Sequence, residues 1–453
     1  MNDNLAFATI EELSTALRNG DIGALQLIDL FAARIERYGE VSKAFITLDL
    51  ERARERAARV DRGLDPGLKL HGIPWACKDL FDVAGLATTG GSKLLADNIA
   101  GQDADAVSAM NAAGGICIGK LNLHEFAYGA TGENSVYGTA PNPYDKARLA
   151  GGSSSGSAAA LGFGLCAAAL GTDTGGSVRA PAALCGLVGF KPTYGRVSCE
   201  GVIPFSWSLD HVGSLTRSAR DAATVFRALQ GQAKETCEVD LKNIRIGIPR
   251  VFFFDRCDRE ILDSVDLLMQ FLRGAGAELV PVTLPSMENA RTVCLTVQMP
   301  EALSYHSRYL ERQGHLYSRD FRAGMALAQC LLAEHYIRAK RFIESYRRDM
   351  DPVFADVDAI LTPATPVIAP PIGAVKVSVE GIDEPAGNAI TRYTSFFNMT
   401  GHPAITLPCG MHSEGLPIAA QLVGRHYADE QLLEIACRIE SEYDFELPLP
   451  GLD

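Results

Sequence analysis

The chain has 453 residues, of which 47% are hydrophobic and 21% charged, a globular composition that excludes a disordered or fibrous protein. Its 42 basic and 55 acidic residues give a net charge of −13, which argues against generic binding to nucleic acid or to anionic lipid. The 11 cysteines show no Cys-x-x-Cys pair and no metal-ligand spacing with histidine, so we expect free thiols and no bound metal.

The N-terminal segment, residues 1–65, is predicted to be mostly helical. Thr9 with two following glutamates opens a helix that Gly20 ends, and apolar residues at helical spacing form a second helix before Gly39. A short strand over residues 44–48 and a charged helix over residues 51–62 follow. The segment carries no basic and apolar leader, which predicts a protein of the reducing cytoplasm.

Residues 66–216 differ in character, because glycine, serine and alanine become dense and short apolar strands alternate with helices. Such alternation predicts an α/β fold with a parallel or mixed sheet. Beyond it we expect long helices over residues 288–356. The other predicted elements are helices at 218–229, which Ser218 caps, and 258–272, and strands at 242–249, 359–362, 404–407 and 418–423.

No internal repeat, low-complexity block or linker interrupts the chain, and no apolar run is long enough to span a membrane. We therefore predict one large domain over residues 1–453. Its parts are a helical N-terminal part (1–65), a glycine-rich core (66–216) and a helical elaboration (288–356).

The core contains two glycine- and serine-rich motifs, at residues 151–157 and 171–179. The first by itself fits a turn or a phosphate-binding loop as well as a nucleophile site, although a Walker loop is excluded because no Gly-Lys-Ser/Thr follows. The second follows a short apolar strand and places Ser177 after a glycine turn, whose N–H groups can point inward as an oxyanion hole requires.

A nucleophilic serine needs a base, and neither motif contains a histidine. His124 and His211 could complete a Ser-His-Asp triad from a distance. Lys78 is an alternative base, since it ends the apolar segment 72–78 and desolvation would lower its pKa. A solvated surface lysine is the simpler interpretation when this segment is considered alone.

Together these segments resemble the amidase signature family, the serine hydrolases with a Ser-cisSer-Lys triad. The resemblance covers nearly the whole chain and implies a central mixed β-sheet with helices on both faces. The blocks that carry it, in the order of the family, are residues 72–79, 89–92, 121–129, 132–135, 151–157, 171–179, 185–195, 208–213, 361–366 and 401–404.

The resemblance implies that Ser177 is the nucleophile, Ser153 the bridging serine and Lys78 the terminal base, with a cis peptide bond before Ser153. The oxyanion hole would use the backbone N–H groups of the turn that ends at the nucleophile. These are the N–H groups of Thr174, Gly175, Gly176 and Ser177.

Three further residues are implied to support the triad. Ser154 and Asp173 would hold Lys78 and the turn through hydrogen bonds, although stabilisation of the loop alone is an equally good interpretation. Arg179 would tie the loop down or touch the substrate. Ser155 replaces the usual third glycine of the first motif, so a position with positive φ would change the local backbone there.

The reaction implied by the resemblance is hydrolysis of a C–N amide bond through an acyl-serine, with no metal and no organic cofactor. The substrate would be a small amide, anilide or ureide, and the oligomeric state is open, a homodimer included. The pocket would draw on Tyr128 and Ala130 and on the helical region around Tyr305, His335 and Tyr336, where a buried structural histidine is an equal alternative.

Two other functions stay open at this point. One is the glutaminase component of a tRNA-dependent amidotransferase, which works with partner proteins and tRNA. The segment 301–347 looks more like that of stand-alone amide and ureide hydrolases, so we expect no nucleic-acid and no membrane partner. The other is a catalytically silent scaffold, which the intact triad residues disfavour.

Overall fold

The computed structural model describes residues 3–63, 65, 67–231, 239–443 and 445–452. Its framework is an 11-stranded mixed sheet flanked by helices, which confirms the predicted α/β fold. The strands are β1 (Phe45–Leu48), β2 (Pro74–Lys78), β3 (Ile116–Leu121), β4 (Ala168–Thr172), β5 (Val188–Lys191), β6 (Val212–Thr216), β7 (Arg245–Ile248), β8 (Glu278–Pro281), β9 (Ala359–Pro363), β10 (Lys376–Val379), β11 (Ile382–Pro385), β12 (Ala404–Met411) and β13 (Pro417–Gly424).

Helices cover the sheet and build an additional layer after β8. They are α1 (Ile10–Asn19), α2 (Ala24–Ser42), α3 (Leu50–Val60), α4 (Asp105–Ala112), α5 (Ser155–Gly162), α6 (Arg179–Leu184), α7 (Ala219–Leu229), α8 (Arg250–Phe253), α9 (Arg259–Gly274), α10 (Ala290–Gln313), α11 (Arg319–Ala328), α12 (Ala333–Met350), α13 (Ala386–Ile390), α14 (Phe396–Thr400) and α15 (Asp429–Glu442). Across the described ranges, none of these helices combines the length and the apolar character that crossing a membrane requires.

The strand order in the large sheet is β1-β3-β2-β4-β6-β5-β12-β13-β9-β7-β8. Parallel pairs join β3 to β2 and β2 to β4 at one side, and β9 to β7 and β7 to β8 at the other. The pairs in between are antiparallel. Strands β2 and β4 are completely buried, and as parallel neighbours they end at the same edge of the sheet.

The predicted helix starts agree with the structure where a side chain caps the helix. Thr9 accepts a hydrogen bond from the backbone N–H of Glu12 and Glu12 accepts one from Thr9, a capping box at the start of α1, which ends at Gly20 with φ +75°. Ser218 caps α7 in the same way. The second helix was predicted to end before Gly39 and this is wrong, because α2 continues to Ser42.

The segment predicted to be helical after residue 288 forms α10, α11 and α12, which confirms the prediction. Its apolar side chains build a small core separate from that of the sheet. Phe321 of α11 lies in this core, with its ring 5.4 Å from that of Tyr128 and 5.5 Å from that of Phe126. The helical layer is therefore held against the loop that follows β3, next to the predicted site.

The sequence did not predict the hairpin β10–β11, which stands apart from the large sheet and pairs only with itself. The predicted strand 242–249 is also shorter than expected. A 3-10 turn at Leu241–Asn243 occupies its beginning, where Asp240 accepts a hydrogen bond from Lys242, and β7 covers only Arg245–Ile248.

Candidate active site

Lys78 is the last residue of β2 and is completely buried. Its Nζ lies 2.7 Å from Ser153 Oγ and 2.8 Å from Thr172 Oγ1. Thr172 is the last residue of the neighbouring parallel strand β4, so the common edge of the two strands brings the amine and the threonine together. Thr172 was absent from the residues predicted for the site.

The burial of Lys78 changes its chemistry. Desolvation lowers the pKa of Lys78 to about 7, although the charges of Asp210 and Asp173 favour the ammonium form. A large fraction of this amine is therefore neutral near pH 7, with a lone pair free to accept a proton. A lysine in this state can act as a general base at neutral pH.

The first serine motif forms a tight loop that ends at the start of α5. The Gly152–Ser153 peptide bond is cis, as the resemblance implied. The N–H of Gly152 donates to the carbonyl of Ala130 at 2.7 Å, and a Cβ at residue 152 would lie 2.6 Å from the backbone nitrogen of Gly132. Glycine is thus required at 152, because two backbones approach each other there.

Ser155 does not distort this loop. It is the first residue of α5 and has no positive φ, so the expected change of the local backbone at the serine is wrong. Its hydroxyl donates to the carbonyl of Gly132 at 3.2 Å, which adds a further contact between the loop and the segment after Ala130.

The second motif turns sharply after β4 and presents Ser177. This serine is partly exposed, whereas Lys78 and Ser153 are fully buried, so Ser177 is the member of the predicted triad that a substrate can reach. The N–H of Ser154 donates to the carbonyl of Ser177 at 3.3 Å and connects the two serine loops. The hydroxyl of Ser154 donates weakly to the carbonyl of Thr172 at 3.4 Å.

Asp173 holds the turn from inside. Its carboxylate accepts hydrogen bonds from the N–H groups of Gly176 at 2.8 Å and Val178 at 3.1 Å. Arg179 donates to the same carboxylate through Nε at 3.0 Å and Nη2 at 2.9 Å. Burial favours the protonated acid, but the Arg179 guanidinium outweighs burial and holds the pKa of Asp173 well below its usual range.

Arg179 is completely buried in a network of side chains from distant parts of the chain. Its Nη1 donates to Gln421 at 2.7 Å and its Nη2 to Asn398 at 2.7 Å, and Asn398 in turn donates to Asp173 at 2.8 Å. Of its two predicted roles, these contacts support the one of tying the loop down. Asn398 and Gln421 stand in apolar segments without a local motif, so the sequence offered no signal for them.

The backbone of the turn is fixed by side chains from α10 and from the segment between α13 and α14. Gln298 donates to the carbonyl of Thr174 at 3.1 Å and Thr394 donates to that of Gly175 at 2.7 Å. Because a trans peptide points its N–H opposite to its C=O, the N–H of Gly175 points away from Gln298. The N–H of Gly176 is directed at Asp173, so this member of the expected oxyanion hole already has an acceptor.

The four residues predicted to form the pocket fall into two groups. Tyr128 and Ala130 lie on the loop against the cis peptide, and the ring of Tyr128 packs on Phe205 at 6.0 Å. Tyr336 instead donates to Glu301 at 2.8 Å. His335 is exposed at the start of α12, where its Nδ1 accepts a hydrogen bond from Leu332.

The predicted site shares no residue with the group of potential metal ligands that the described residues bring together, Asp351, His402 and His426. The imidazole rings of the two histidines stack with centroids 3.8 Å apart and planes 20° apart. Lone pairs of nearly parallel rings point side by side and do not converge on one ion. Asp351 lies 3.1 Å from His426 Nδ1 and 3.5 Å from His402 Nε2, so it is a shared neighbour of the stacked pair.

Comparisons with known proteins agree with this geometry. Residues 26–433 match the family model described as Amidase. The chain is 36% identical to the A-type chain of the glutamyl-tRNA(Gln) amidotransferase from Roseiflexus sp. (strain RS-1), over 98% of both chains. A solved amidase superposes with a TM-score of 0.91 at 34% identity, covering 96% of this chain and 100% of its own. A solved protein complex that bears on the evolutionary origins of an s-triazine catabolic enzyme gives 0.89 at 32%, covering 97% and 99%.

Proposed function

The chain belongs to the amidase family, and on this premise we propose that it hydrolyses the C–N bond of a small amide or ureide through an acyl-Ser177 intermediate. The observation that carries the proposal is the contact of 2.7 Å between the buried Lys78 amine and Ser153, beside the turn that presents Ser177. An amine, a bridging hydroxyl and a reachable hydroxyl are the groups that acyl transfer by this route requires.

In the acylation step, Ser177 Oγ attacks the amide carbonyl carbon and its proton passes through Ser153 Oγ to neutral Lys78. The N–H groups of the turn at Gly175 and Ser177 stabilise the oxyanion of the tetrahedral intermediate. The C–N bond then breaks, and the proton held by Lys78 returns through Ser153 to the leaving nitrogen.

In the deacylation step, a water molecule gives a proton to the same relay and its oxygen attacks the acyl-serine ester. The C–O bond to Ser177 breaks and the serine recovers its proton, so that one water is consumed and one acid and one amine or ammonia are released. The chain's own residues suffice for both steps, so the proposal includes no metal and no organic cofactor.

The relation to amidotransferases supports a second function, that of a glutaminase component which passes ammonia to a partner. The identity of 36% to the Roseiflexus amidotransferase chain over nearly the full length favours it. The similarity to a solved amidase at nearly equal identity favours a hydrolase that works without partners. We propose the latter because each side chain of the relay lies within residues 78–177 of one chain.

We also propose a reducing, cytoplasmic setting. All ten cysteines in the described part of the chain are free thiols, and most of them are buried. Burial raises the pKa of Cys185 and Cys166, so these thiols stay protonated and unreactive. Mass spectrometry of the protein alkylated without prior reduction tests this, since a disulfide in the freshly prepared protein would contradict it.

The intermediate gives the direct test of the proposed chemistry. Protein quenched during turnover should carry the acyl group on the peptide that contains Ser177, and a fluorophosphonate probe should label the same residue. Ser177→Ala should abolish both turnover and labelling while the melting temperature stays within about 2 °C, because a partly exposed turn serine contributes little to the core. An adduct on Ser153, on another serine or on a cysteine would refute the assignment.

A further inference from the structure

Arg291 is a partly buried cation without an acidic partner. Its Nε and Nη2 donate to the side-chain oxygen of Asn388 at 3.1 Å and 3.0 Å, and within the described ranges no Asp or Glu pairs with it. It also lies in the first turn of α10, where acidic residues are absent and the helix dipole is positive. Both features disfavour a cation here, so they indicate that an anion from outside the chain completes the site.

The position of Arg291 connects it to the catalytic turn. Gln298 follows seven residues later on α10, which is two helical turns, so both side chains lie on the same face about 10 Å apart. Gln298 is the residue that donates to the carbonyl of Thr174. The face of α10 that carries Arg291 is therefore the face that contacts the turn before Ser177.

The partner of Arg291 leads to the other side of the site. Gly387, beside Asn388 in α13, approaches Ala130 so closely that a Cβ on the glycine would lie 3.9 Å from Ala130. Ala130 accepts the hydrogen bond from Gly152, directly before the cis peptide. The two contacts of α13 and α10 thus place Arg291 at the border of the same cleft from two independent directions.

The guanidinium has one free edge suited to a carboxylate. Nε and Nη2 form one two-donor edge, which Asn388 occupies, while Nη1 has no hydrogen bond to any described residue. The edge formed by Nη1 and Nη2 can therefore bind the two oxygens of a carboxylate. The neighbours Tyr128 and Cys294 are neutral, so a single cation here matches a monoanion better than a phosphate dianion.

We propose that the substrate is an amide that also carries a carboxylate, which the free edge of Arg291 binds while the amide carbonyl lies at Ser177. This inference rests on the proposed amidohydrolase function and adds the class of its substrate. The rest of the cleft is lined by the apolar and aromatic side chains near Tyr128, so the carboxylate is the part of the substrate that the site recognises by charge.

Matched substrates test the proposal. Malonamate, succinamate and glutaramate are compared with neutral amides of equal size in which a methyl ketone replaces the carboxylate, and ammonia release is measured. We expect kcat/KM of the wild-type protein to favour the best carboxylate amide by about 10-fold or more, as for a charge-assisted hydrogen bond. Equal rates for all three pairs would overturn the proposal.

Variants locate the effect. Arg291→Gln should lower kcat/KM for the preferred carboxylate amide about 10- to 100-fold, mainly through KM, and leave its neutral twin within about 3-fold. Arg291→Lys, which keeps the charge but not the fork, should restore part of the loss. The control Arg308→Gln removes an exposed charge from the same helix and should change neither substrate. An equal loss for both twins in Arg291→Gln would contradict the proposal.

A binding measurement separates this inference from the proposed function. Calorimetry with the Ser177→Ala variant and succinamate or its homologues should show binding that the additional change Arg291→Gln removes and Arg308→Gln keeps. Binding of this kind without turnover by the wild-type protein would support the carboxylate site and refute the hydrolase. Turnover of neutral amides without such binding would support the hydrolase and refute the carboxylate site.

Discussion

At the scale of single residues, the pKa of Lys78 decides when the proposed relay works. Burial lowers this pKa to about 7, so the neutral amine is the minor form below pH 7 and the major form above it. We expect kcat/KM to rise with pH up to about pH 7 and then to level off. A pH profile of kcat/KM checks this, and a constant rate between pH 5 and pH 9 would contradict it.

The arginine variant of the same position separates charge from base function. Lys78→Arg keeps a cation but cannot lose its proton, so turnover should fall by about 100-fold or more, the usual contribution of a general base. The melting temperature of the variant serves as the control for folding. Rates near those of the wild-type protein would exclude the relay through Lys78.

Lys78 also connects stability to pH. Its pKa is lower in the folded protein than the value of about 10.4 expected in the unfolded chain, so the unfolded chain takes up a proton first as the pH falls. The stability that this group permits is therefore fully present above the unfolded pKa. It is lost as the pH falls from about 10 to about 7 and does not return below that window.

The ion pair of Arg179 and Asp173 is the second case at this scale. Arg179→Met would leave the Asp173 carboxylate buried without its guanidinium, which costs about 3–5 kcal/mol in such pairs. We expect a loss of this size in chemical denaturation, together with a loss of activity because Asp173 holds the turn of Ser177. Arg259→Met breaks an exposed pair with Asp263 and should cost less than about 1 kcal/mol.

At the scale of elements, the contact of α11 with the loop after β3 determines the position of Tyr128. A Cβ on Gly324 of α11 would lie 1.9 Å from the Tyr128 hydroxyl, and the ring cannot retreat easily because it packs on Phe205 and Phe321. Gly324→Ala should therefore destabilise the protein by about 1–3 kcal/mol through overpacking, and should raise KM by displacing Tyr128.

A second glycine provides the matched control for this prediction. Gly274 is the last residue of α9, is exposed, and has no heavy atom within 4 Å of an added Cβ. Gly274→Ala should stabilise the protein by up to about 1 kcal/mol, because alanine loses less conformational entropy in a helix. Thermal denaturation of both variants checks the pair, and equal shifts would refute the role given to the Tyr128 contact.

At the scale of the whole molecule, the proposal requires that one chain acts alone. With the relay, the turn and the anion-binding arginine in the same chain, the purified protein should release ammonia from a suitable amide without any partner. Added tRNA should not raise the rate, since a net charge of −13 opposes the approach of a polyanion. Activity that appears only with a partner protein and tRNA would establish the amidotransferase function instead.

The sequence by itself determined the local parts of this protein. The cap at Thr9, the glycine turn before Ser177 and the lysine at the end of a buried strand are readable because each depends on neighbours a few residues away. The two serine motifs and Lys78 could be predicted as one site only through the resemblance of the ordered blocks. Spacing alone left a histidine base equally open.

Only the tertiary structure decided what surrounds the triad. Asn398 and Gln421 reach Arg179 across 219 and 242 positions of the chain, and Arg291 contacts Asn388 across 97. The N–H of Gly176 is taken by Asp173, and the exposure of His335 follows from which face of α12 packs inward. These features depend on the order of strands in the sheet and on the packing of helices over it, which bring together residues that no local pattern connects.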